Sequence, residues 1–534
     1  MHRFILDDYG REIVNPECVQ DDGGPIKYFR QYGECAPCPS NPWMIVAILL
    51  GGGTFMGSMA YVMKKKRISL GIISIAIDYF QILSLLSSTK TPWPQVILDL
   101  YTWLSAFNFN INITAPECVF EVAYDDKWKM IMSMPLVLFG LVFVYNWSLV
   151  FWKKCVKNKS GRKVHSHSSK SIGAATAIMY YVYMNLSMTA LEVFNCGVQE
   201  LEDPLTGELV SDGKQYMSET NWVCYEPGGD HAKLVPLAII CIIVYTCGYP
   251  CYMAYVLLSP KNRDMAISDQ VLRAMDKGNK KFESPSLEHF EFRQRYYKLY
   301  YYYKPDKWYW MLVVLGRKFS VAVIALMFRG NATFQMCMIV LTIFISSNIQ
   351  VRAQPFMSMS ERAGVLLQHR DLVGILQEQM DNNKGKKKIR AHKSMDSLVE
   401  ESQAHVSVAS YFWNYNTVEM ILLACAILVN VFGIMFESNY LKENSGPYET
   451  LANLTLAVLV CSLVYLFMVI WSEIVAAVFP GLECGFARRY WRHAARAKRV
   501  LARRKSGAKC HTHTPLAQNL QDGVNQLCSF LSKP

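Results

Sequence analysis

Nine apolar runs, each long enough to cross a lipid bilayer, constrain the fold of this chain more than any other feature. A transmembrane helix needs about 20 mostly apolar residues. Runs of that kind lie at about 42–63, 69–88, 130–152, 171–193, 234–258, 308–328, 333–351, 416–436 and 450–475. Charged residues make up only 18% of the chain, against about 25% in a soluble domain. The sequence therefore predicts an all-α polytopic membrane protein with about nine transmembrane helices.

The second run sets the predicted orientation. Four consecutive basic residues, Lys64 to Arg67, stand directly before it, and Lys and Arg are retained on the cytoplasmic side of a membrane. With the N-terminus outside and nine crossings, the outside segments hold 10 of the 55 Lys and Arg residues and the inside segments hold 42. This bias predicts an external N-terminus and a cytoplasmic C-terminus.

The predicted spans divide the chain into alternating external and cytoplasmic segments. A short cysteine-containing segment, 1–41, is expected outside, followed by helices 1–5 within 42–258, with external loops at 89–129 and 194–232. A cytoplasmic linker (259–307), helices 6–7 (308–351), a second cytoplasmic segment (352–413), helices 8–9 (414–475) and a basic cytoplasmic tail (476–534) complete the chain.

Cysteines and glycosylation sequons fall on the side predicted to be external. The two sequons begin at Asn112 and Asn331, and glycosylation occurs in the secretory compartment. Six cysteines lie in the same external segments: Cys18, Cys35, Cys38, Cys118, Cys196 and Cys224. An even number of cysteines in an oxidising compartment favours disulfides, and six allow 15 pairings, among which the sequence does not choose.

Charges inside the predicted spans are the leading candidates for function. The set comprises Asp78 with the neighbouring Gln81, Arg317, Lys318, Glu419 and Glu473. A charged group at the bilayer centre costs roughly 2.5 kcal/mol or more unless it faces protein or water. One interpretation is a static ion pair of Asp78 with Arg317 or Lys318. Others are an ion or substrate path lined by these groups, or side chains that reach the membrane surface.

The tail after the last run is strongly basic. Six basic residues there could lie on an anionic cytoplasmic leaflet: Arg488, Arg489, Arg492, Arg496, Lys498 and Arg499. Each contributes about 1 kcal/mol near such a surface. A lipid-binding helix and a simple flank that stops translocation are equally compatible with this pattern. The formal net charge of +12 is thus attributed to cytoplasmic loops rather than to nucleic-acid binding, and the bilayer is the expected partner, with a homo-oligomer left open.

No catalytic constellation is visible in the sequence. It contains no phosphate-binding GxxxxGK[ST] loop, no GxSxG elbow and no HExxH motif. The run Cys510 to His513 lacks a second pair of metal ligands, so we expect no metal site there. An enzyme is the least favoured class, and no cofactor is predicted.

Several short motifs resemble one group of membrane proteins. They are Cys35–Pro39 (CAPCP), Tyr79–Ile82 (YFQI), Trp93-Pro94, Leu104–Asn110 (LSAFNFN), Tyr302–Pro305 (YYKP), Trp308–Trp310 (WYW), Gly316–Lys318 (GRK) and Gln354–Phe356 (QPF). Their order resembles the membrane region of large protist and algal multi-pass proteins with ephrin-receptor-like, cysteine-rich ectodomains. It is more distantly similar to the fungal TRP-like, flavin-carrier-like membrane proteins.

The resemblance implies a helical membrane domain related to TRP-like cation channels. The expected location is the plasma membrane, with an endomembrane as the alternative. In the leading hypothesis Asp78 lines or gates a cation path and the basic tail senses lipid. A secondary transporter with a midplane site at Asp78 and Arg317 is the second hypothesis, with Pro250 marking a broken helix. A non-conducting receptor or scaffold is the third.

Overall fold

The structure, a computed structural model, is mostly helical. It describes residues 4–6, 12–14, 28–31, 34–37, 71–86, 89, 91–105, 124–155, 164–202, 209–217, 220, 222–275, 284–328, 330–358, 361–383, 412–438, 440–441 and 445–478. The predicted first span (42–63), Asn112 and the basic tail from Arg488 onward lie outside these residues. Cys18, Cys38 and Cys118 lie outside them as well.

The described residues form fourteen α-helices, numbered in chain order. The first six are α1 (Gly71–Leu86), α2 (Gln95–Ser105), α3 (Tyr124–Cys155), α4 (Val164–Glu192), α5 (Asp230–Cys241) and α6 (Gly248–Leu258). The others are α7 (Pro260–Ala274), α8 (Leu287–Tyr300), α9 (Trp310–Met327), α10 (Ala332–Ala353), α11 (Arg362–Gln368), α12 (Arg370–Asn383), α13 (Tyr415–Phe436) and α14 (Ser445–Val478). A π-helical turn, Ile242–Cys247, joins α5 to α6, and a 3₁₀ turn, Pro305–Lys307, precedes α9.

Within the described ranges, three antiparallel hairpins accompany the helices. The strands are β1 (Phe4–Leu6), β2 (Glu12–Val14), β3 (Tyr28–Gln31), β4 (Glu34–Pro37), β5 (Cys196–Glu202) and β6 (Leu209–Met217). They pair as β1–β2, β3–β4 and β5–β6. In the third hairpin Cys196 lies opposite Met217, and a disulfide joins Cys196 to Cys224 just beyond β6.

Six helical stretches among the described residues are long and apolar enough to cross a membrane. They are Tyr124–Ser148, Asp230–Leu258, Pro305–Met327, Ala332–Ala353, Tyr415–Phe436 and Gly446–Val475. They coincide with the predicted third, fifth, sixth, seventh, eighth and ninth spans. The protein is therefore a multi-pass membrane protein, and the number of crossings and their direction stay predictions.

Two further predicted spans are not among these six. Helix α1 is apolar and has 16 described residues, and residues 69–70 and 87–88 of the predicted second span lie outside the described part of the chain. Helix α4 is long enough but rich in polar and tyrosine side chains. Its Tyr183 and Leu186 are fully buried in the bundle. Because these parts of α4 contact protein and not lipid, the helix can carry polar residues.

Burial separates the inner helices from the outer ones. In the most apolar part of Pro305–Met327, 61% of the residues are buried, against 17% in that of Tyr124–Ser148. Large apolar side chains of α3, such as Leu136, Phe143 and Trp147, are exposed. In a membrane these side chains contact lipid, so α9 lies inside the bundle and α3 lies at its edge.

Contacts between helices define the inner part of the bundle. Helix α9 packs on α4 and α10, α10 packs on α13, and α1 packs on α13, α14 and α2. Helix α8 lies against α4 and α7 at one end of the bundle. At that end a separate apolar cluster joins α7 to α11 and α12, through residues such as Val271, Leu366 and Val373.

The helical stretch Asp230–Leu258, which is the predicted fifth span, continues through Pro250 instead of breaking there. Proline has no N–H and therefore leaves the carbonyl four residues earlier without its helical partner. That carbonyl belongs to Thr246, and the Tyr183 hydroxyl donates a hydrogen bond to it at 3.0 Å. The π turn at Ile242–Cys247 lies just before the proline. The predicted helix distortion thus takes the form of a π turn with a side-chain donor from α4.

A buried charge cluster as the candidate functional site

Four charged side chains from three helices meet inside the bundle. Asp78 comes from α1, Arg317 and Lys318 come from α9, and Glu419 comes from α13. Each is at most 8% exposed. We call these four residues the charge cluster. Its two acidic and two basic groups balance formally to zero, which is the condition under which charges tolerate a medium of low dielectric constant.

Asp78 is held by two neighbouring helices. Its Oδ1 lies 2.7 Å from Lys318 Nζ, and its Oδ2 accepts a hydrogen bond of 2.6 Å from the Tyr180 hydroxyl of α4. Lys318 Nζ also lies 4.0 Å from the centroid of the Tyr180 ring. Tyr180 therefore contacts both members of the ion pair, one through its hydroxyl and the other through its π face.

Gln81 completes the environment of the Lys318 ammonium. Lys318 Nζ donates to Gln81 Oε1 at 2.8 Å, and Gln81 Nε2 donates to the backbone carbonyl of Tyr181 at 2.8 Å. Asp78 and Gln81 are three residues apart on α1, so they share a helix face. This shared face explains why one ammonium contacts both side chains.

Arg317 pairs with a different helix although it precedes Lys318 directly. Its Nη1 lies 3.0 Å from Glu419 Oε1 and 3.4 Å from Ser346 Oγ on α10. Adjacent residues of an α-helix point about 100° apart. Arg317 thus faces α10 and α13, whereas Lys318 faces α1 and α4, and α9 connects two ion pairs.

A small cavity lies beside the charge cluster. It has a volume of about 10 Å³ and is lined by Asp78, Arg317 and Lys318 together with Ile82, Met184 and Val321. That space holds no more than about one water molecule. The cluster is consequently nearly dry, and its charges are compensated mainly by one another and by polar side chains.

Tyr180 belongs to the candidate site but was not among the residues predicted from the sequence. It lies in the tyrosine-rich fourth run, and it is 4% exposed. A buried tyrosine hydroxyl normally has a hydrogen-bond partner, so a tyrosine in the middle of a predicted span is a signal for a polar partner on another helix. The sequence does not indicate which helix supplies that partner.

The other predicted site residues lie apart from the charge cluster. Glu473 of α14 is half-buried and accepts a hydrogen bond of 3.2 Å from the Tyr415 hydroxyl. Asn331 is exposed and caps α10, because its Oδ1 accepts from the Phe334 N–H at 3.0 Å. Cys35 lies on β4, and of the six predicted disulfide cysteines the structure joins Cys196 and Cys224.

One group of residues has the composition of a metal site, but its chemistry does not fit one. Cys196, Cys224 and His231 lie close together, yet the two sulfurs form a disulfide and are not thiolates. His231 Nδ1 accepts from the Tyr225 N–H at 3.1 Å, and Nε2 lies 2.8 Å from the Val193 carbonyl oxygen. Both ring nitrogens are occupied, so this group anchors the β5–β6 hairpin to α5.

A third buried ion pair lies outside the spans, between α7 and α8. Arg293 Nη1 lies 3.6 Å from Asp269 Oδ1, and the Tyr300 hydroxyl donates to Asp269 Oδ2 at 2.7 Å. Burial raises the pKa of Asp269 to about 6, although Arg293 and the Tyr300 hydrogen bond act in the opposite direction. This carboxyl group therefore titrates near physiological pH.

Comparisons with protein-family models, with curated proteins and with solved structures found no match to this chain.

Proposed function

We propose that this multi-pass membrane protein is a TRP-like cation channel, or a channel-related protein. In the closed state, basic side chains of the protein itself block the ion path. The observation that carries the proposal is the pairing of two intramembrane carboxylates with internal cations. Lys318 lies against Asp78 at 2.7 Å, and Arg317 lies against Glu419 at 3.0 Å. Carboxylates facing the interior of a bundle are typical of cation paths.

In this proposal the ammonium and guanidinium groups stand where a permeating cation would stand. Opening would move α9 relative to α1 and α13, and would exchange the internal cations for water and a mobile cation. The cavity of about 10 Å³ beside Asp78 is the space from which such a path would widen. The net charge of zero keeps the closed arrangement tolerable in a dry bundle.

Cation flux into liposomes that contain the purified protein tests this proposal. Lys318→Met removes the internal cation from Asp78, and we expect it to raise the flux. Asp78→Asn removes the carboxylate and should lower flux under conditions that activate the wild type. Glu473→Gln is the matched control, because Glu473 is a spanning-helix carboxylate that bonds Tyr415 outside the cluster.

The channel proposal fails if neither the wild type nor Lys318→Met carries cations under voltage, membrane tension, anionic lipid or calcium. Each variant is first checked for a monodisperse elution profile, so that absence of flux is not confused with unfolding. An equal flux in all variants would contradict the role of the cluster even if the protein conducts.

A secondary transporter is the second candidate, and one observation favours it. Asp78 and Arg317 line the same cavity, as a midplane site for a coupled ion and substrate would require. Counterflow distinguishes the two candidates. A transporter accelerates uptake of labelled substrate when unlabelled substrate is loaded inside the liposomes, whereas a channel does not.

A further inference from the structure

A second cavity lies near the charge cluster, at the end of the bundle where α8 packs. Its volume is about 20 Å³, and its polar lining consists of Ser74, Thr176, Tyr180, Tyr181, Lys298 and Tyr302. That space suits one or two water molecules. Lys298 belongs to α8, a helix rich in charged residues, which places this cavity close to the aqueous end of the bundle.

Two hydrogen bonds lead from this second cavity to the charge cluster. The Ser74 hydroxyl lies 3.4 Å from the Tyr180 hydroxyl oxygen, to which it donates. The Tyr180 hydroxyl donates in turn to Asp78 Oδ2 at 2.6 Å. Ser74 and Tyr180 themselves line the cavity. In both hydrogen bonds the donor points towards Asp78. A proton relay to a carboxylate requires this direction.

We propose that Asp78 is a proton-binding site that exchanges protons with the solution at the α8 end through Tyr180 and Ser74. In each uptake event a hydronium ion in the second cavity gives a proton to Ser74 Oγ. The Ser74 proton moves to the Tyr180 oxygen, and the Tyr180 proton moves to Asp78 Oδ2. The products are one water molecule and a neutral Asp78 carboxylic acid, and both hydroxyl groups are restored.

The charges around Asp78 determine what this proton does. The titratable or charged groups that face Asp78 are Tyr180 and Tyr181 of α4, Arg317 and Lys318 of α9, Glu419 of α13, and Tyr303. Of these only Lys318 forms an ion pair with Asp78 among the described residues. Protonation therefore removes the negative charge that pairs with Lys318, leaves its hydrogen bond to Gln81 on α1, and raises the net charge of the cluster by one.

The consequence of protonation rests on the proposed function, but the proton site itself does not. If the protein conducts cations, loss of the Asp78–Lys318 attraction couples the acidity at the α8 end to opening. Proton binding to Asp78 occurs whether or not the protein conducts. A failure of the flux experiment would therefore overturn the proposed function and leave this site standing.

Infrared difference spectroscopy after an acid jump tests the proton site on the full-length protein in lipid bilayers. The band of a protonated carboxyl group is assigned to Asp78 by its loss in Asp78→Asn. Tyr180→Phe keeps the ring over Lys318 and removes only the relay hydroxyl. We expect the Asp78 band in this variant to appear roughly a hundredfold more slowly than in the wild type.

Tyr181→Phe is the matched control, because Tyr181 lines the same cavity and its hydroxyl makes no hydrogen bond to any described residue. It should leave the rate unchanged. Ser74→Ala provides a second test if Tyr180→Phe does not fold. Equal rates in the wild type and the relay variants would overturn the route. The absence of an Asp78-dependent carboxyl band at every pH at which the protein stays folded would overturn the proton site itself.

Discussion

At the scale of single residues, the environment of each charge follows from the angle between neighbours on a helix. Arg317 and Lys318 are adjacent in sequence, yet one contacts Glu419 and the other contacts Asp78. Replacing a well-paired buried ion pair by apolar side chains often costs little, whereas removing one partner leaves an uncompensated charge. Replacing Asp78 or Lys318 alone should therefore destabilise the protein, whereas replacing both together should cost little.

We predict that Lys318→Met lowers the free energy of unfolding by about 3–5 kcal/mol, because Asp78 is left charged in a nearly dry site. Combining it with Asp78→Leu should recover most of that loss. Chemical denaturation in detergent micelles measures all three variants. Lys129→Met is the control, because its exposed pair with Asp125 should contribute little. A double variant whose loss equals the sum of the single losses would contradict the pairing.

Outside the spans, Asp269 makes stability depend on pH. Burial raises the pKa of Asp269 to about 6 from its usual 3.8. The folded protein therefore keeps this proton up to a higher pH than the unfolded chain does. The stability contributed by the protonated group is complete below pH 3.8 and is lost as pH rises to about 6. The expected loss is about 3 kcal/mol.

Asp269→Asn should flatten the stability profile in that pH interval, as measured by the free energy of unfolding at a series of pH values. Asp264→Asn, an exposed carboxylate on the same helix, serves as the control and should keep the wild-type slope. A wild-type profile that rises from pH 4 to pH 6, with the same rise in both variants, would show that Asp269 has no such role.

At the scale of whole elements, the contact between α4 and α8 depends on one glycine. A Cβ atom at Gly173 would collide with the carbonyl oxygen of Gln294 and would lie 3.2 Å from that of Arg295. Backbone atoms cannot rotate away as a side chain can. The two helices are therefore able to touch only because position 173 lacks a side chain, and this contact positions Lys298 at the second cavity.

We predict that Gly173→Ala lowers the thermal unfolding temperature, through an overpacking cost of about 1–3 kcal/mol. Gly140→Ala is the matched control, since Gly140 lies in helix α3 and no atom stands near its added Cβ. Alanine is a better helix former than glycine by about 1 kcal/mol, so this control should be neutral or stabilising. Equal unfolding temperatures for the two variants would contradict the close approach.

At the scale of the whole molecule, the two ends of the bundle differ in chemistry. One end carries the β5–β6 hairpin with its disulfide, and the other carries α7, α8, α11 and α12 with their own apolar cluster. The distribution of Lys and Arg along the sequence predicts that the hairpin end is external and the α7 end cytoplasmic.

A thiol reagent that cannot cross membranes checks this orientation. We expect Lys214→Cys on exposed β6 to be labelled on intact cells, and Lys261→Cys on α7 to be labelled only after permeabilisation. Both lysines are exposed, and the wild-type chain provides the background from its own cysteines. Labelling of both positions from the same side would overturn the predicted topology.

Much of the architecture was predictable because bilayer thickness imposes a length and an apolar composition on each span. The predicted third span and the predicted fifth to ninth spans coincide with the six apolar helical stretches among the described residues. Helix α4 shows the limit of this reasoning. Its burial inside the bundle permits polar and tyrosine residues, so composition alone is a weaker guide for inner helices than for lipid-facing ones.

The sequence by itself determined that buried charges exist in this protein, because Asp78, Arg317, Lys318 and Glu419 lie within apolar runs. Only the tertiary structure decided their partners, and it added Tyr180, which no linear pattern connects to Asp78. The physical reason is the range of the interactions. Hydropathy is a local property of the chain, whereas an ion pair depends on which faces of distant helices meet when the bundle packs.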